Sequence, residues 1–358
     1  MTTASATATA IAPATLAAFV RAAGLRTGMP PEAADTLADA LVLADMMGVH
    51  THGTKLLAGY LRKLLAGGYR PDGTPRIVRE GPAWAVVDGD AALGQIGCTM
   101  AMRLAVAKAK QVGIASVSLR NTGHIGAAGG YAILAARAGC IGLVVGNDAP
   151  SVAAPGSRRA VLGSNPLAWA APRPDGEPLF LDIATAAVAG GKVYAAVARG
   201  EPIPAEWLVG ADGRPTTDGS LYPQHAALAP MAGHKGYGFA LLAEILSGVM
   251  SGGAVVSQVG SWMADPPEAP SRHAAGFVAI DVGTICDRDA HAAAMERIVR
   301  EIRAAPVADG VERVLLPGER EWSRHRAATE RGIALPADVH QKLAAAAELV
   351  GIDPPACA

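Results

Sequence analysis

Three short polar clusters interrupt an otherwise apolar chain, and each holds a residue able to move a proton or hold an anion. The first, His50-Thr51-His52-Gly53, spaces two imidazoles at i and i+2, which face the same way only on an extended backbone. Extended, they would form a pair of metal ligands or offer one acid–base group. At a helix end they would cap carbonyls or face solvent. The second cluster, Asn121-Thr122-Gly123-His124, lies between a strand-like and a helix-like segment, where α/β sheets open their crevice. Imidazole exchanges protons near neutral pH, which makes His124 a candidate for proton transfer. Gly123 and Gly126 would let a ligand approach the backbone there. The third, Gly233-His234-Lys235-Gly236-Tyr237-Gly238, sets a lysine among glycines ahead of an apolar helix, a combination suited to phosphate. Gly163-Ser164-Asn165-Pro166 and Leu181-Asp182-Ile183-Ala184-Thr185 put short polar groups at strand ends, as ordinary turns also do.

The elements that must position these groups alternate in type. The spacing predicts helices over Leu16–Ala23 capped by Thr15, from Pro31 through Asp45, and over Lys55–Leu65. Strands at Trp84–Asp90, Ile114–Arg120 and Ile141–Gly146 alternate with helices at Cys98–Val112 and Gly126–Ala138. Further strands follow at Leu167–Pro174, Phe180–Ile183 and Gly276–Ile280, with helices at Lys235–Met250, Ala290–Ala304 and Pro336–Val350. The expectation is an α/β centre between helical ends that pack on each other.

Several chemistries lack their patterns. No Gly-x-Gly-x-x-Gly follows a strand, and no phosphate-binding P-loop, Gly-x-Ser-x-Gly, His-Glu-x-x-His or EF-hand loop occurs. The 358 residues carry 31 Lys plus Arg against 32 Asp plus Glu, a balance that argues against a nucleic-acid partner. No apolar run reaches membrane-spanning length, and the first residues lack the basic start of a signal peptide. The 4 cysteines, Cys98, Cys140, Cys286 and Cys357, form no close pair and read as reduced thiols in a cytoplasmic protein.

In order, these clusters resemble the malate/L-lactate dehydrogenase family, which also contains ureidoglycolate, sulfolactate and 2,3-diketogulonate dehydrogenases and piperideine-carboxylate reductase. The resemblance runs from Ala44-Asp45-Met46-Met47-Gly48-Val49-His50-Thr51-His52-Gly53 through Val87-Asp88-Gly89-Asp90 with Gly94-Gln95. It continues through Asn121-Thr122-Gly123-His124, Leu162-Gly163-Ser164-Asn165-Pro166 and Asp182-Ile183-Ala184-Thr185 with Gly191-Lys192. It ends at His234-Lys235-Gly236-Tyr237-Gly238 and Leu316-Pro317-Gly318-Glu319.

The resemblance implies a non-Rossmann α/β (α+β) fold. A largely antiparallel sheet domain (76–285) would hold NAD or NADP, and a helical domain would form from both chain ends (1–75 and 286–358). It implies a homodimer and a small 2-hydroxy or 2-keto acid substrate. His124 would give or take the proton on the substrate oxygen, with Thr51 and His52 lining the reacting end. Asp148, Ser164, Asn165, Asp182, Ile183, Ala184 and Lys235 would contact the cofactor, and Asp182 is also a candidate to hold a histidine in its useful tautomer. Where the family pattern has the arginine that would grip a substrate carboxylate, this chain has Leu56. Lys55 or Arg120 is then the candidate to replace it, and Arg158 with Arg159 could reach a 2′-phosphate.

Three other readings follow from particular residues. A cyclic-imine (piperideine or pyrroline-2-carboxylate) reductase is the alternative within the same family. A metal-dependent hydrolase would use His50 and His52. A non-catalytic binding protein would keep the fold without turnover.

Overall fold

The computed structural model describes residues 10–356; Cys357 and the first nine residues, including the signal-peptide question, lie outside that range. Among the described residues, eleven α-helices and twelve strands follow one another as a helical start, a sheet-rich middle and a helical end. Helix α1 (Pro13–Arg26) opens on its own proline, so Thr15 lies inside the helix and not at its cap. Helix α2 (Pro31–Met46) also opens on proline, with Glu32 in its first turn. Two 3₁₀ turns, His50–His52 and Thr54–Leu56, then precede α3 (Leu57–Ala66), which stops at left-handed Gly67. The predicted helix over Lys55–Leu65 therefore starts later.

The middle comprises β1 (Arg76–Gly81), β2 (Trp84–Asp88), α4 (Gly94–Val112), β3 (Ile114–Thr122), α5 (Gly129–Arg137) and β4 (Cys140–Gly146). Then come β5 (Val152–Ala153), β6 (Ala160–Leu162), β7 (Leu167–Ala171), β8 (Leu179–Ile183) and α6 (Gly190–Ala198). After these come β9 (Leu208–Gly210), β10 (Pro215–Thr216), β11 (Ala226–Leu228), α7 (His234–Glu244) and β12 (His273–Asp281). The chain closes with α8 (Val282–Ile285), α9 (Arg288–Arg303), α10 (Glu319–Arg331) and α11 (Ala337–Val350). Strand β1 and helices α6 and α10 have no counterpart in the sequence-based expectation. The long helix expected from Lys235 to Met250 changes to a π-helical turn over Ile245–Val249.

One sheet of seven strands runs β1-β2-β3-β12-β4-β7-β8, and a second of five runs β10-β9-β11-β5-β6. In the larger sheet only β2 and β3 run parallel; β12 is antiparallel to both its neighbours, β3 and β4. The alternation of strands and helices foretold the α/β class, but most neighbours are antiparallel, as the resemblance implied. Helices α4 and α5 bury Cys98, Met102, Ala105, Ala132 and Ala136 against Val117, Val144, Ala168 and Phe277 of the sheet. So many alanines let helix and sheet approach closely, because each contributes only one methyl to the interface.

The chain ends share a second core. Leu16, Val20, Leu37 and Leu41 of α1 and α2 pack with Leu57 and Leu61 of α3 and with Val339, Leu343 and Ala346 of α11. Ile11 and Ile333 join the ends through a backbone bridge. The site is positioned where this helical unit meets the sheet. Among the described residues no helix is long and apolar enough to cross a membrane.

Candidate active site

His124 follows the end of β3, the strand that pairs with both β2 and β12. Its backbone is pinned from two sides: its N–H donates to Tyr69 Oη at 3.2 Å, and its carbonyl lies against Gly94. A Cβ at Gly94 would come within 2.3 Å of that carbonyl oxygen, so only glycine at the start of α4 leaves His124 in place.

The imidazole is held by aromatic groups that come from far apart in sequence. Nδ1 lies 2.7 Å from the Tyr60 hydroxyl, which also receives Gln95 Nε2 at 3.3 Å. Trp262 stacks on the His124 ring with centroids 4.8 Å apart, and His52 lies beyond at 5.9 Å. His273 meets it edge-on at 5.7 Å. Burial drives the His124 pKa down to about 3; the neighbouring His273 and His52 push the same way while Asp148 opposes them. His52 is lowered too, by burial, against the pull of Asp148. His124 is thus neutral at physiological pH, the form of an imidazole that can accept a proton.

A second polar chain runs behind this ring. Tyr69 Oη pairs with Ser271 Oγ at 3.0 Å, Ser271 Oγ with His273 Nδ1 at 2.9 Å, and His273 Nε2 with Asp148 Oδ1 at 3.1 Å. Burial penalises the Asp148 carboxylate, but the His273 hydrogen bond, the charges of His273 and His124 and the Ala149 N–H hold its pKa below the usual range. The carboxylate that orients a histidine is therefore Asp148. Asp182 instead accepts the Gly129 N–H at the head of α5, at 2.7 Å, and burial lifts its pKa to about 6.

The His50-Thr51-His52 segment is a 3₁₀ turn, not an extended run. His50 Nδ1 bonds to buried Asp45 at 2.9 Å, while His52 Nδ1 meets Thr51 Oγ1 at 3.0 Å. The two imidazoles thus have separate partners, and no cluster of metal-ligating side chains occurs among the described residues. Asp45 Oδ2 also accepts the Thr54 N–H and hydroxyl at 2.8 and 2.6 Å, fastening the turn that carries Thr51 and His52.

The candidates for the missing arginine are engaged elsewhere. Lys55 pairs with Asp338 of α11 at 2.6 Å, and Arg120 binds Asp88 and the Ser251 carbonyl. Leu56 itself packs against the helical core. Arg158 donates to the Ala211 carbonyl.

Most of the residues expected to contact a cofactor converge at the end of β8. Thr185 N–H binds the Ser164 carbonyl, Met231 N–H binds the Thr185 carbonyl, and Gly236 N–H binds the Met231 carbonyl. Ser164, Asp182, Ile183, Ala184 and Lys235 are thereby gathered around one stretch of backbone. Asp148, which faces His273, and Asn165 are the exceptions. Asn165 lies away from any ligand surface. It is fully buried, donating to the Ala240 carbonyl and to Glu244 and accepting the Asp148 N–H, so it shapes the wall without lining it. Lys235 stands exposed in the first turn of α7, and a Cβ at Gly233 or Gly238 would meet nothing within 4 Å. The Lys235 ammonium and the helix N–H groups are donors, with no acidic side chain in that first turn, while the Ser164 hydroxyl beside them donates to Asp148 Oδ2 at 3.4 Å. Such a set fits the diphosphate of a dinucleotide.

Tyr60, Tyr69, Trp262, Ser271 and His273 were not legible as site residues. Their one sequence signal is rarity: of the chain's 6 Tyr and 5 Trp, two tyrosines and one tryptophan meet here, a pattern visible only in three dimensions.

The titrations have a consequence for stability. His124 has a model-compound value of 6.5 and a native value of about 3, so between these pH values the unfolded chain binds more protons. Stability from this group is present above about pH 6.5 and is lost as pH falls towards 3, with His52 acting in the same sense. Asp182, with a native value near 6 against 3.8 unfolded, runs oppositely and favours the native state most at low pH. On going from pH 7 to 4.5, His124→Gln should lose less stability than the parent by on the order of 2 kcal/mol, measured by urea denaturation at both pH values.

Comparison with known proteins places this geometry in a class. A family profile described as malate/L-lactate dehydrogenase matches residues 11–344. The chain is 35% identical over 335 residues to a malate dehydrogenase of Pyrococcus horikoshii, covering 92% of each chain. It superposes on the sulfolactate dehydrogenase of Methanocaldococcus jannaschii with a TM-score of 0.89 at 32% identity, over 96% of this chain and 98% of that one. A delta1-piperideine-2-carboxylate reductase from Pseudomonas syringae gives a TM-score of 0.83 at 29% identity, over 93% and 98%. The chain belongs to the malate/L-lactate dehydrogenase family. It is an oxidoreductase of the class that acts on a CH–OH group.

Proposed function

We propose that this protein interconverts a small 2-hydroxy acid and its 2-keto acid with NAD or NADP, using His124 as the acid–base group. The observation that carries this reading is the 2.7 Å contact of His124 Nδ1 with Tyr60, which leaves Nε2 as the ring nitrogen for substrate. Lys235, Ser164 and the backbone of Asp182–Ala184 would hold the dinucleotide. When bound, the nicotinamide supplies the acceptor or donor of the hydride. His124, neutral at rest, takes the hydroxyl proton as the alcohol carbon is oxidised. In the other direction its imidazolium must form in the presence of an anionic substrate, where negative charge offsets the cost of burial. His52 and Trp262 shield the ring from water.

The cyclic-imine reading is supported by a specific observation and is kept beside the first. Asp148 places an anion near His124 that would favour a cationic iminium, whereas the unfilled carboxylate grip at Leu56 bears equally on both substrate classes. Titration with NADH and NADPH, followed by reduced-cofactor fluorescence, tests the cofactor. Saturable binding of either supports the reading and justifies assays of 2-keto acids against cyclic imines; binding of neither removes it.

The homodimer belongs to the same reading. Phe239, Leu242, Ile245 and Val249 lie exposed along α7 and the turn after it. A face of this kind, unpartnered, is costly in water. A second copy of the chain is the proposed cover. Sedimentation should show a dimer for the parent, and Leu242→Glu combined with Ile245→Glu should shift it to monomer.

A further inference from the structure

The acid–base role just proposed places a demand on Tyr60 that only Gln95 can meet. Tyr60 has one hydroxyl proton and two polar neighbours, His124 Nδ1 and the Gln95 amide. Gln95 is buried in the first turn of α4, its amide pressed against Gly126, where a Cβ would lie 2.9 Å from Nε2. With Nε2 turned to Tyr60, the hydroxyl proton goes to His124 Nδ1, and the proton of a neutral imidazole then sits on Nε2. That tautomer has no lone pair for a substrate hydroxyl. In this arrangement Gln95 Oε1 is a buried acceptor with no hydrogen-bond partner, the one such side-chain atom among the described residues.

Turning the amide by half a rotation reverses the chain. Tyr60 O–H donates to Oε1, the Tyr60 oxygen accepts from Nδ1–H, and Nε2 is free to take a proton. The same polarity persists when the ring is protonated, because an imidazolium donates from both nitrogens. An imidazolium facing a Tyr60 hydroxyl that also donates would set two protons against each other. Either orientation leaves one amide group without a partner, so neither is strongly preferred on hydrogen-bond grounds.

We propose that Gln95 is a positioning residue for proton transfer: its amide oxygen takes the Tyr60 proton, commits Tyr60 to accept from Nδ1 of His124, and leaves Nε2 to exchange a proton with substrate. The inference rests on the acid–base reading of His124, but it has its own observable. Ring-nitrogen NMR of the full-length protein labelled at histidine reports which nitrogen carries the proton, with or without turnover, and His124→Gln identifies the resonance.

The parent should show His124 as the Nδ1–H tautomer. In Gln95→Met, of similar length and without an acceptor, the ring should switch to Nε2–H. Its kcat for hydroxy-acid oxidation should fall about 10²-fold with KM nearly unchanged. Gln95→Glu keeps an acceptor oxygen in either protonation state, so it should retain the Nδ1–H tautomer and recover most of the lost kcat. A His124 tautomer indifferent to Gln95→Met, or a loss confined to KM, would overturn the proposal. Full turnover by His124→Gln would instead overturn the acid–base reading and leave the tautomer result to stand or fall alone.

Discussion

His124→Ala should lower turnover by about 10²- to 10⁴-fold, the usual worth of a positioned acid–base group. Affinity for NADH or NADPH should stay within a few-fold, because the groups proposed to hold the dinucleotide are those gathered at the end of β8 and the start of α7, not this ring. The physical reason for a large effect is isolation. Trp262 covers one face of the imidazole and His52 lies beside it, which limits the water that could replace the missing base. Steady-state kinetics paired with fluorescence titration separates the two quantities. Retention of full activity would remove His124 from the mechanism.

Asp45→Ala is expected to have the largest effect on stability. Its carboxylate is wholly buried and receives three donors or partners: His50 Nδ1, Thr54 N–H and Thr54 Oγ1. Gly53 lies so close that a Cβ there would meet Asp45 Oδ1 at 2.1 Å, so the turn is wrapped tightly around this one group. Removing the carboxylate strands the buried Thr54 donors without water to replace it, at a cost of about 3–5 kcal/mol. Asp45→Asn is the informative control. Its amide oxygen can still accept from Thr54, and its amino group can face His50 in the other tautomer, so most of the stability should survive. Urea denaturation reads both variants. An Asp45→Ala protein as stable as the parent would show that the turn is fastened by something other than this carboxylate. Because Thr51 and His52 ride on the turn, kcat should fall with stability in the Ala variant.

Some of this was legible in local sequence. His124 stands between a strand and a helix, and both elements formed nearly where the periodicity placed them, because β3 and α5 are each set by short-range apolar patterning. Prolines and glycines marked helix ends, as at Pro31 and Gly67, since their backbone limits act without tertiary help. Yet Thr15 did not cap α1, because Pro13 had already begun the helix two residues earlier. The i, i+2 spacing of His50 and His52 said nothing about their direction: the buried demand of Asp45 for donors curled the segment into a 3₁₀ turn.

The sequence by itself determined the apolar periods, the helix ends marked by Pro31 and Gly67, the strand-to-helix setting of His124 and a chain of motifs specific enough to imply the family. Only the tertiary structure decided which groups touch His124. Tyr60 comes from α3, Gln95 from α4, Trp262 from the loop before β12 and His273 from β12 itself, residues separated by up to a few hundred positions and joined by no local pattern. It also decided that Asp148, and not Asp182, partners a histidine, because β12 inserts between β3 and β4 and carries His273 to the end of β4. Proton affinity followed from the same packing. An imidazole takes its charge state from the water and charges around it, and those are properties of neighbours in space, not neighbours in sequence.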